Sequence, residues 1–253
     1  MIYYPLSTLI QAGISDILII TTPEDQGAFQ RLLGDGSQFG IRLAYAVQQR
    51  PEGLAQAFII GADFIGDSSV ALALGDNIFH GSQFSASLSQ CRNPQGGIVF
   101  AYEVSDPSRY GVVAFDESGQ ALSIVEKPQQ PQSNFAVVGL YFYDNSVVDI
   151  ARTITPSTRG ELEITSVNEA YLRRGKLQVQ KLARGDVWLD TGTFDSMSEA
   201  SSYVEVLQKR TGIIIGSPEA AAYQSGFIDA AQLQVLAARL DKSGYGRLLR
   251  NIL

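Results

Sequence analysis

Cysteine and histidine occur once each, as Cys91 and His80, in a chain of 253 residues. A single cysteine excludes an intrachain disulfide and a cysteine-based zinc site. A single histidine excludes any chemistry that needs two imidazoles. Charge is sparse too: charged residues make up 18% of the chain, with a net charge of −7 and a pI near 4.8. That balance argues against a broad nucleic-acid or anionic-membrane surface, so any phosphate would have to meet a local basic pocket. No apolar run approaches a membrane span, and Met1 is not followed by a basic and then apolar signal segment. The expectation is a soluble protein of the reducing cytoplasm, with neither nucleic acid nor membrane as partner.

Familiar nucleotide motifs are missing as well. No G-x-G-x-x-G follows a strand pattern, no G-x-x-x-x-G-K-[ST] is present, and no G-x-S-x-G elbow accompanies His80. Gly34-Asp35-Gly36 follows a helical pattern and reads as a turn. His80 reads as a solvent or interface histidine.

What is present is a 45% hydrophobic chain with alternating strand and helix signals. Helical patterns at 1–12, 22–33 and 53–65 alternate with apolar strand runs at 16–21, 42–47 and 70–74. That order implies βαβ units with right-handed crossovers. The run Val70-Ala71-Leu72-Ala73-Leu74 predicts a strand buried on both faces of a parallel sheet. From residue 97 onward short strands with tight turns appear (97–104, 110–115, 121–126, 135–143), Asp116-Glu117-Ser118-Gly119 being a hairpin signal. Further elements follow: a helix at 165–174, strands at 178–183 and 188–193, a helix at 194–209, and helical pieces at 218–225, 229–239 and 244–252. The expected fold is α/β: a Rossmann-like mixed, mainly parallel sheet flanked by helices, with a small antiparallel part and a C-terminal helical tail. Residues 1–215 read as the main domain and 216–253 as a helical extension packed on it.

Polar residues gather at expected strand ends: Gln48, Asp76, Glu126-Lys127-Pro128, Arg159 and Asp190. Ligands of open α/β sheets sit at the carboxyl ends of strands, and both Asp76 and Asp190 close apolar runs there. Asp76 alone would read as a turn residue. Two carboxylates that hold Mg²⁺, with a lysine and an arginine facing phosphates, suit phosphoryl or nucleotidyl transfer. No protein nucleophile is required, because a substrate phosphate oxygen can attack in line.

The segments Q-Q-R-P-E-G-L-A-Q-A, L-G-D-N-I-F, R-Y-G-V-V, E-K-P, R-G-E-L-E-I-T and W-L-D-T-G-T, in this order, closely resemble the glucose-1-phosphate thymidylyltransferases. The resemblance implies transfer of dTMP from dTTP to glucose 1-phosphate with Mg²⁺, in dTDP-rhamnose-type biosynthesis, by a homotetramer. It implies that Gln48 reads the thymine edge, with Pro51 and Gly53 shaping the base and sugar pocket. Asp76 and Asp190 would hold the metal, and Trp188 would pack beside it. Tyr110, Gly111, Glu126 and Val137 would line the sugar site, and Lys127 and Arg159 would grip the sugar phosphate.

Two departures accompany the resemblance. Family members begin with a strand and a glycine-rich loop, G-G-x-G-T-R-L, and Met1 coincides with a methionine beyond it, so about thirty residues, one βα unit, are expected to be absent. That would leave an open sheet edge and remove the amides and cations that cradle a triphosphate. In the tail, Gln224 stands where a phosphate-binding arginine of a second nucleotide site is expected. A uridylyltransferase of the same family is the neighbouring reading. A sugar-nucleotide-binding or subunit-pairing module without turnover is the reading from another class.

Gln48 carries both an amide donor and an acceptor, which suits a pyrimidine edge. In an active form, Gln48→Ala should therefore weaken dTTP binding more than glucose 1-phosphate binding in calorimetric titrations. Equal loss for the two substrates would remove Gln48 from the base pocket.

Overall fold

A computed structural model describes all 253 residues. The chain opens with α1 (Tyr3–Gln11), β1 (Asp16–Thr21), α2 (Gln26–Leu33), β2 (Arg42–Val47), α3 (Gln56–Ile60), α4 (Ala62–Ile65), β3 (Val70–Ala73), β4 (Asn77–His80) and α5 (Ser82–Leu88). The middle contains β5 (Gly97–Glu103), β6 (Gly111–Phe115), β7 (Ala121–Glu126), β8 (Phe135–Tyr143), α6 (Val147–Thr153) and α7 (Ile164–Arg173). It ends with β9 (Leu177–Lys181), β10 (Val187–Asp190), α8 (Phe194–Thr211), α9 (Pro218–Gln224), α10 (Ala230–Arg239) and α11 (Tyr245–Arg250). The mixed α/β architecture with a helical tail is the one expected. The single helix expected over 53–65 is two short ones that meet at Gly61, and β4, α5 and α6 carry no clear sequence signal.

The hub is β8. Its F-A-V-V-G-L-Y-F-Y is apolar on both faces, and every residue after Phe135 is buried. On one edge it pairs antiparallel with β5, which in turn pairs parallel with β9. Its other edge is divided. Ala136 pairs with Val112 of β6, at the start of the β6–β7 hairpin, while Leu140 to Tyr143 pair antiparallel with Ala73 to Val70 of β3. Between these two partners the strand pairing of β8 is interrupted at Gly139, whose carbonyl accepts from Leu74 N at 2.9 Å and whose N–H donates to the Asn77 side chain, and the polar residues collect at this interruption.

Two expectations need correction here. The strand buried on both faces is β8, whereas all four residues of β3 are only half-buried. The sheet is also less parallel than expected: only β1–β2 and β5–β9 run parallel. Both follow from one feature. β1 pairs with β2 alone and β3 with β8 alone, so their remaining edges are open. An apolar groove borders both strands, with Ile17, Leu18, Ile20, Phe64, Leu72 and Ala73 in its walls. Its larger part has a volume of about 480 Å³. A smaller part of about 230 Å³ reaches Gln48, Gly53 and Gly75.

Four cores hold these parts, the smallest joining Ile78 of β4 to Ala200 and Val204 of α8. Phe58, Ile150, Val167, Tyr143 and Tyr171 join α3, α6 and α7 to β8. Phe84, Leu88, Phe100, Phe142 and Trp188 join α5 and β10 to the same sheet. Leu6, Ile10, Ile17, Leu33, Leu233 and Leu249 join α1, α2 and β1 to the C-terminal helices. The tail therefore shares its core with the first βα unit. The lone thiol of Cys91 lies buried, and burial pushes its pKa up to about 11, so it is a packing group.

Gly139 is the residue the interruption cannot change. A Cβ there would lie 2.5 Å from Asn77 Oδ1 and 2.7 Å from the Leu74 side chain. Gly139→Ala is expected to destabilise the protein by about 1–3 kcal/mol through overpacking. Urea unfolding measures this, and an unchanged midpoint would show that the junction yields freely.

Candidate active site

The site is assembled by the short antiparallel pair β4–β10, in which Asp190 lies opposite Asn77 and Trp188 opposite Phe79. Asp76 precedes β4, in the turn that leaves β3. Its carbonyl oxygen accepts from Thr191 N at 3.0 Å and from Thr191 Oγ1 at 2.8 Å, which ties the turn to the end of β10. The two acids are thereby brought together. A point at an ideal Cβ position on Gly192 lies 3.3 Å from Asp190 Oδ1, 3.7 Å from Asp190 Oδ2 and 3.7 Å from Asp76 Oδ2. Hard carboxylate oxygens converging in this way fit Mg²⁺, which takes one or two carboxylates and completes its shell with water and phosphate oxygens.

Asn77, only 2% exposed, fixes this arrangement. Its Oδ1 accepts from Trp188 Nε1 at 2.6 Å and from Gly139 N at 3.0 Å, and its Nδ2 donates to Asp76 Oδ1 at 2.7 Å. One side chain thus links β10, β8 and the metal-candidate acid. Trp188 stands edge-on to Tyr110 with ring centroids 5.0 Å apart. Tyr110 donates its hydroxyl to Asp190 Oδ2 at 3.4 Å. Burial, and then the negative charge of Asp190, raise the Tyr110 phenol above its ordinary value, so it stays a neutral donor. Arg109 lies across the Tyr110 ring and reaches the same Asp190 oxygen at 3.6 Å.

A second group lies where β6 and β7 meet α7. An ideal Cβ on Gly111 would sit 3.1 Å from Thr165 Oγ1, 3.4 Å from Glu126 Oε2 and 3.9 Å from Val137, so these four residues share one small space. Thr165 donates to Glu126. Lys127 follows with φ at +43°, in the left-handed region that a side chain enters at a cost of about 1–2 kcal/mol. Its backbone N–H bonds the carbonyl of Tyr110 at 3.0 Å, which holds the turn, and no carboxylate lies within ion-pair reach of its amine.

Arg159 is not at a strand end as expected; it lies in the loop between α6 and α7. There its Nη2 donates to both oxygens of the buried Glu163, at 2.8 and 2.9 Å, and lies 3.4 Å from Glu126 Oε1. The Glu163 bond, more than any other influence, raises the guanidinium further above its ordinary value. Nη1 has no protein partner and is the nitrogen left for an anion.

The third group is at the end of the groove. Gln48 Nε2 donates to Gln56 Oε1 at 2.6 Å and to Gly53 O at 3.2 Å. Gly53 has φ at +105°, and a Cβ there would meet the Leu162 backbone at 2.4 Å. Pro51 is exposed in the loop between Gln48 and Gly53. The smaller part of the groove connects Gln48 and Gly53 with Gly75, the neighbour of Asp76. All predicted residues therefore fall into three adjoining groups. Sequence reasoning gives no role to Asn77, Arg109, Thr165 and Glu163, although each lies inside a segment that carries the resemblance. In the tail, Gln224 lines a separate cavity of about 260 Å³ with Gln11 and Gly216.

Residues 1–206 match the model of the nucleotidyl transferase family. The glucose-1-phosphate thymidylyltransferase of Mycolicibacterium smegmatis is 59% identical over 253 residues, covering 100% of this chain and 88% of the relative. That of Mycobacterium tuberculosis is 55% identical with the same coverage. Among solved structures, a Bacillus anthracis glucose-1-phosphate thymidylyltransferase in complex with a sucrose superposes with a TM-score of 0.72 at 37% identity, over 80% of this chain and 81% of that one. A UDP-glucose pyrophosphorylase complexed with UDP-glucose, 24% identical with a TM-score of 0.69 over 81% of this chain and 86% of that one, shares the fold.

Removing the Asn77 side chain would strand two buried donors, Trp188 Nε1 and Gly139 N. Asn77→Ala is therefore expected to lower stability by about 2–4 kcal/mol. A loss below about 0.5 kcal/mol in urea denaturation, the scale of an ordinary surface substitution, would show that the amide is dispensable.

Proposed function

The chain belongs to the nucleotidyl transferase family, with glucose-1-phosphate thymidylyltransferases as its relatives, and on that premise we propose that it transfers dTMP from dTTP to α-D-glucose 1-phosphate, giving dTDP-glucose and pyrophosphate. The observation that carries this reading within the molecule is the convergence of Asp76 and Asp190. On one side lies the groove end with Gln48 and Gly53, and on another the close grouping of Gly111, Glu126 and Val137.

In this reading an oxygen of the sugar phosphate attacks the α-phosphorus of dTTP. The bond to the bridging oxygen breaks, and pyrophosphate leaves with that electron pair. The protein's work is positioning and charge stabilisation. Lys127, with no competing carboxylate, and Arg159, through Nη1, hold the sugar phosphate. Glu126 accepts from a sugar hydroxyl, with Gly111 leaving room for the ring. Gln48 faces the base. Asp76 and Asp190 would hold Mg²⁺, which when bound supplies charge neutralisation at the transferring phosphoryl group. The same reading assigns the product to cytoplasmic dTDP-sugar synthesis and the protein to a homo-oligomer, a tetramer by family resemblance.

A second reading, binding of the sugar nucleotide without turnover, is favoured by the open groove beside Gln48 and Gly75. Calorimetry and a pyrophosphate-release assay with Mg²⁺ separate the two. dTDP-glucose is expected to bind in preference to GDP-mannose under both readings, because both keep the base and sugar pockets. Pyrophosphate release from dTTP and glucose 1-phosphate supports the enzyme; specific binding with no release supports the second reading. No preference for dTDP-glucose would overturn both.

A further inference from the structure

Arg109 opens the segment R-Y-G-V-V without an expected role of its own, yet it is the only cation within ion-pair distance of the two converging acids. Its Nη2 lies 3.6 Å from Asp190 Oδ2, and Asp76 has no cationic partner. The guanidinium is held there from two sides. It rests over the Tyr110 ring, 5.6 Å from the centroid, and it ends the short turn Pro107–Arg109. Asp106 caps that turn by accepting from Ser108 N at 3.2 Å and Ser108 Oγ at 2.6 Å. Tyr110 in turn is fixed by its hydroxyl on the same Asp190 oxygen and by Trp188. The guanidinium is thus aimed at one of the three oxygens that surround the point of convergence.

We infer that Arg109 is a place-holding counter-ion of the Asp76–Asp190 pair, which competes with a divalent cation for Asp190 and lowers the affinity of the site for free metal. The inference rests on the reading of these two acids as metal ligands. Two carboxylates this close repel one another, so some cation nearby stabilises the metal-free state. A neighbouring positive charge also opposes the entry of Mg²⁺ by direct repulsion, even where the guanidinium swings aside. The Arg109 side chain is 47% exposed and that of Asp190 17%, so the pair is partly screened and readily exchanged. Arg109 is a positioning residue, not a ligand of the reacting atoms.

The test is Mn²⁺ binding to the full chain, followed by electron paramagnetic resonance or calorimetry, with no substrate present. Arg109→Gln should bind Mn²⁺ about three- to five-fold more tightly than the unaltered protein, the range set by a half-exposed ion pair. Arg109→Lys keeps the charge and should stay near the unaltered affinity. The gain in Arg109→Gln should shrink in 0.5 M KCl, where charges are screened over a few ångströms. Unchanged or weaker binding by Arg109→Gln overturns the inference, as does equal tightening by Arg109→Lys. Asp190→Asn separates this from the underlying reading: full Mn²⁺ binding by that variant would remove the metal site itself. Loss of binding in Asp190→Asn with no gain in Arg109→Gln would remove only the role of Arg109.

Discussion

Everything at this site hangs on one buried amide. Asn77 accepts from the indole of Trp188 and the backbone of Gly139, and donates to Asp76. These bonds join β10, β8 and the turn after β3, three segments distant in sequence. A carboxylate in place of the amide would accept from Trp188 and Gly139 but could not donate to Asp76, and would set two negative charges side by side. A leucine would satisfy none of the three. The amide is the side chain of this size that offers both an acceptor and a donor, which is why a polar residue is kept in a region otherwise lined by Leu74, Leu140 and Trp188.

The consequence is a site built at an interruption. The edge of β8 is shared by β6 and β3, and at the junction between them the N–H of Gly139 is bonded by a side chain instead of a strand. Carboxylates placed there can converge without being pushed apart by sheet geometry. Nearby, the acidic chain gathers cations locally. Lys127 is presented on a left-handed turn without a protein counter-ion, while Arg159 is tethered to Glu163 and keeps one nitrogen free. A protein with a net charge of −7 can meet phosphates in this way, through position and not through bulk charge.

Much of this was legible before the structure. Strands at 16–21, 42–47, 121–126 and 135–143 match the observed elements residue for residue, because each is an apolar run closed by a turn signal. Asp76 and Asp190 stood out because a carboxylate ends each run. The role of β3 was misread for a physical reason: V-A-L-A-L says that a strand is apolar, but not which neighbours cover it. The cover is β8 on one side and an open groove on the other. Long-range partners such as Asn77 with Trp188, or Arg109 with Asp190, lie 111 and 81 residues apart, and no local periodicity reports them. Short elements such as β4 form because β10 lies alongside, which tertiary contact decides and propensity does not.

Gln48 shows how far the geometry constrains specificity. Its Nε2 already donates to Gln56 Oε1 and Gly53 O, so the protein has committed the donor end and left Oε1 without a protein partner. On the proposed reading, Oε1 is then the acceptor for a ring N–H of the base, as at N3 of thymine or uracil. Cytosine lacks that hydrogen and would leave the acceptor unmet, at a cost of about 1–3 kcal/mol. Thymine and uracil differ only by a methyl group, which is worth about 0.8 kcal/mol when buried, or roughly four-fold. Exposed Leu54, which lines the groove with Gln48, is the apolar surface available to supply it. On that reading, selection of a pyrimidine with an N3 hydrogen comes from a fixed amide, whereas preference for thymine over uracil would be modest.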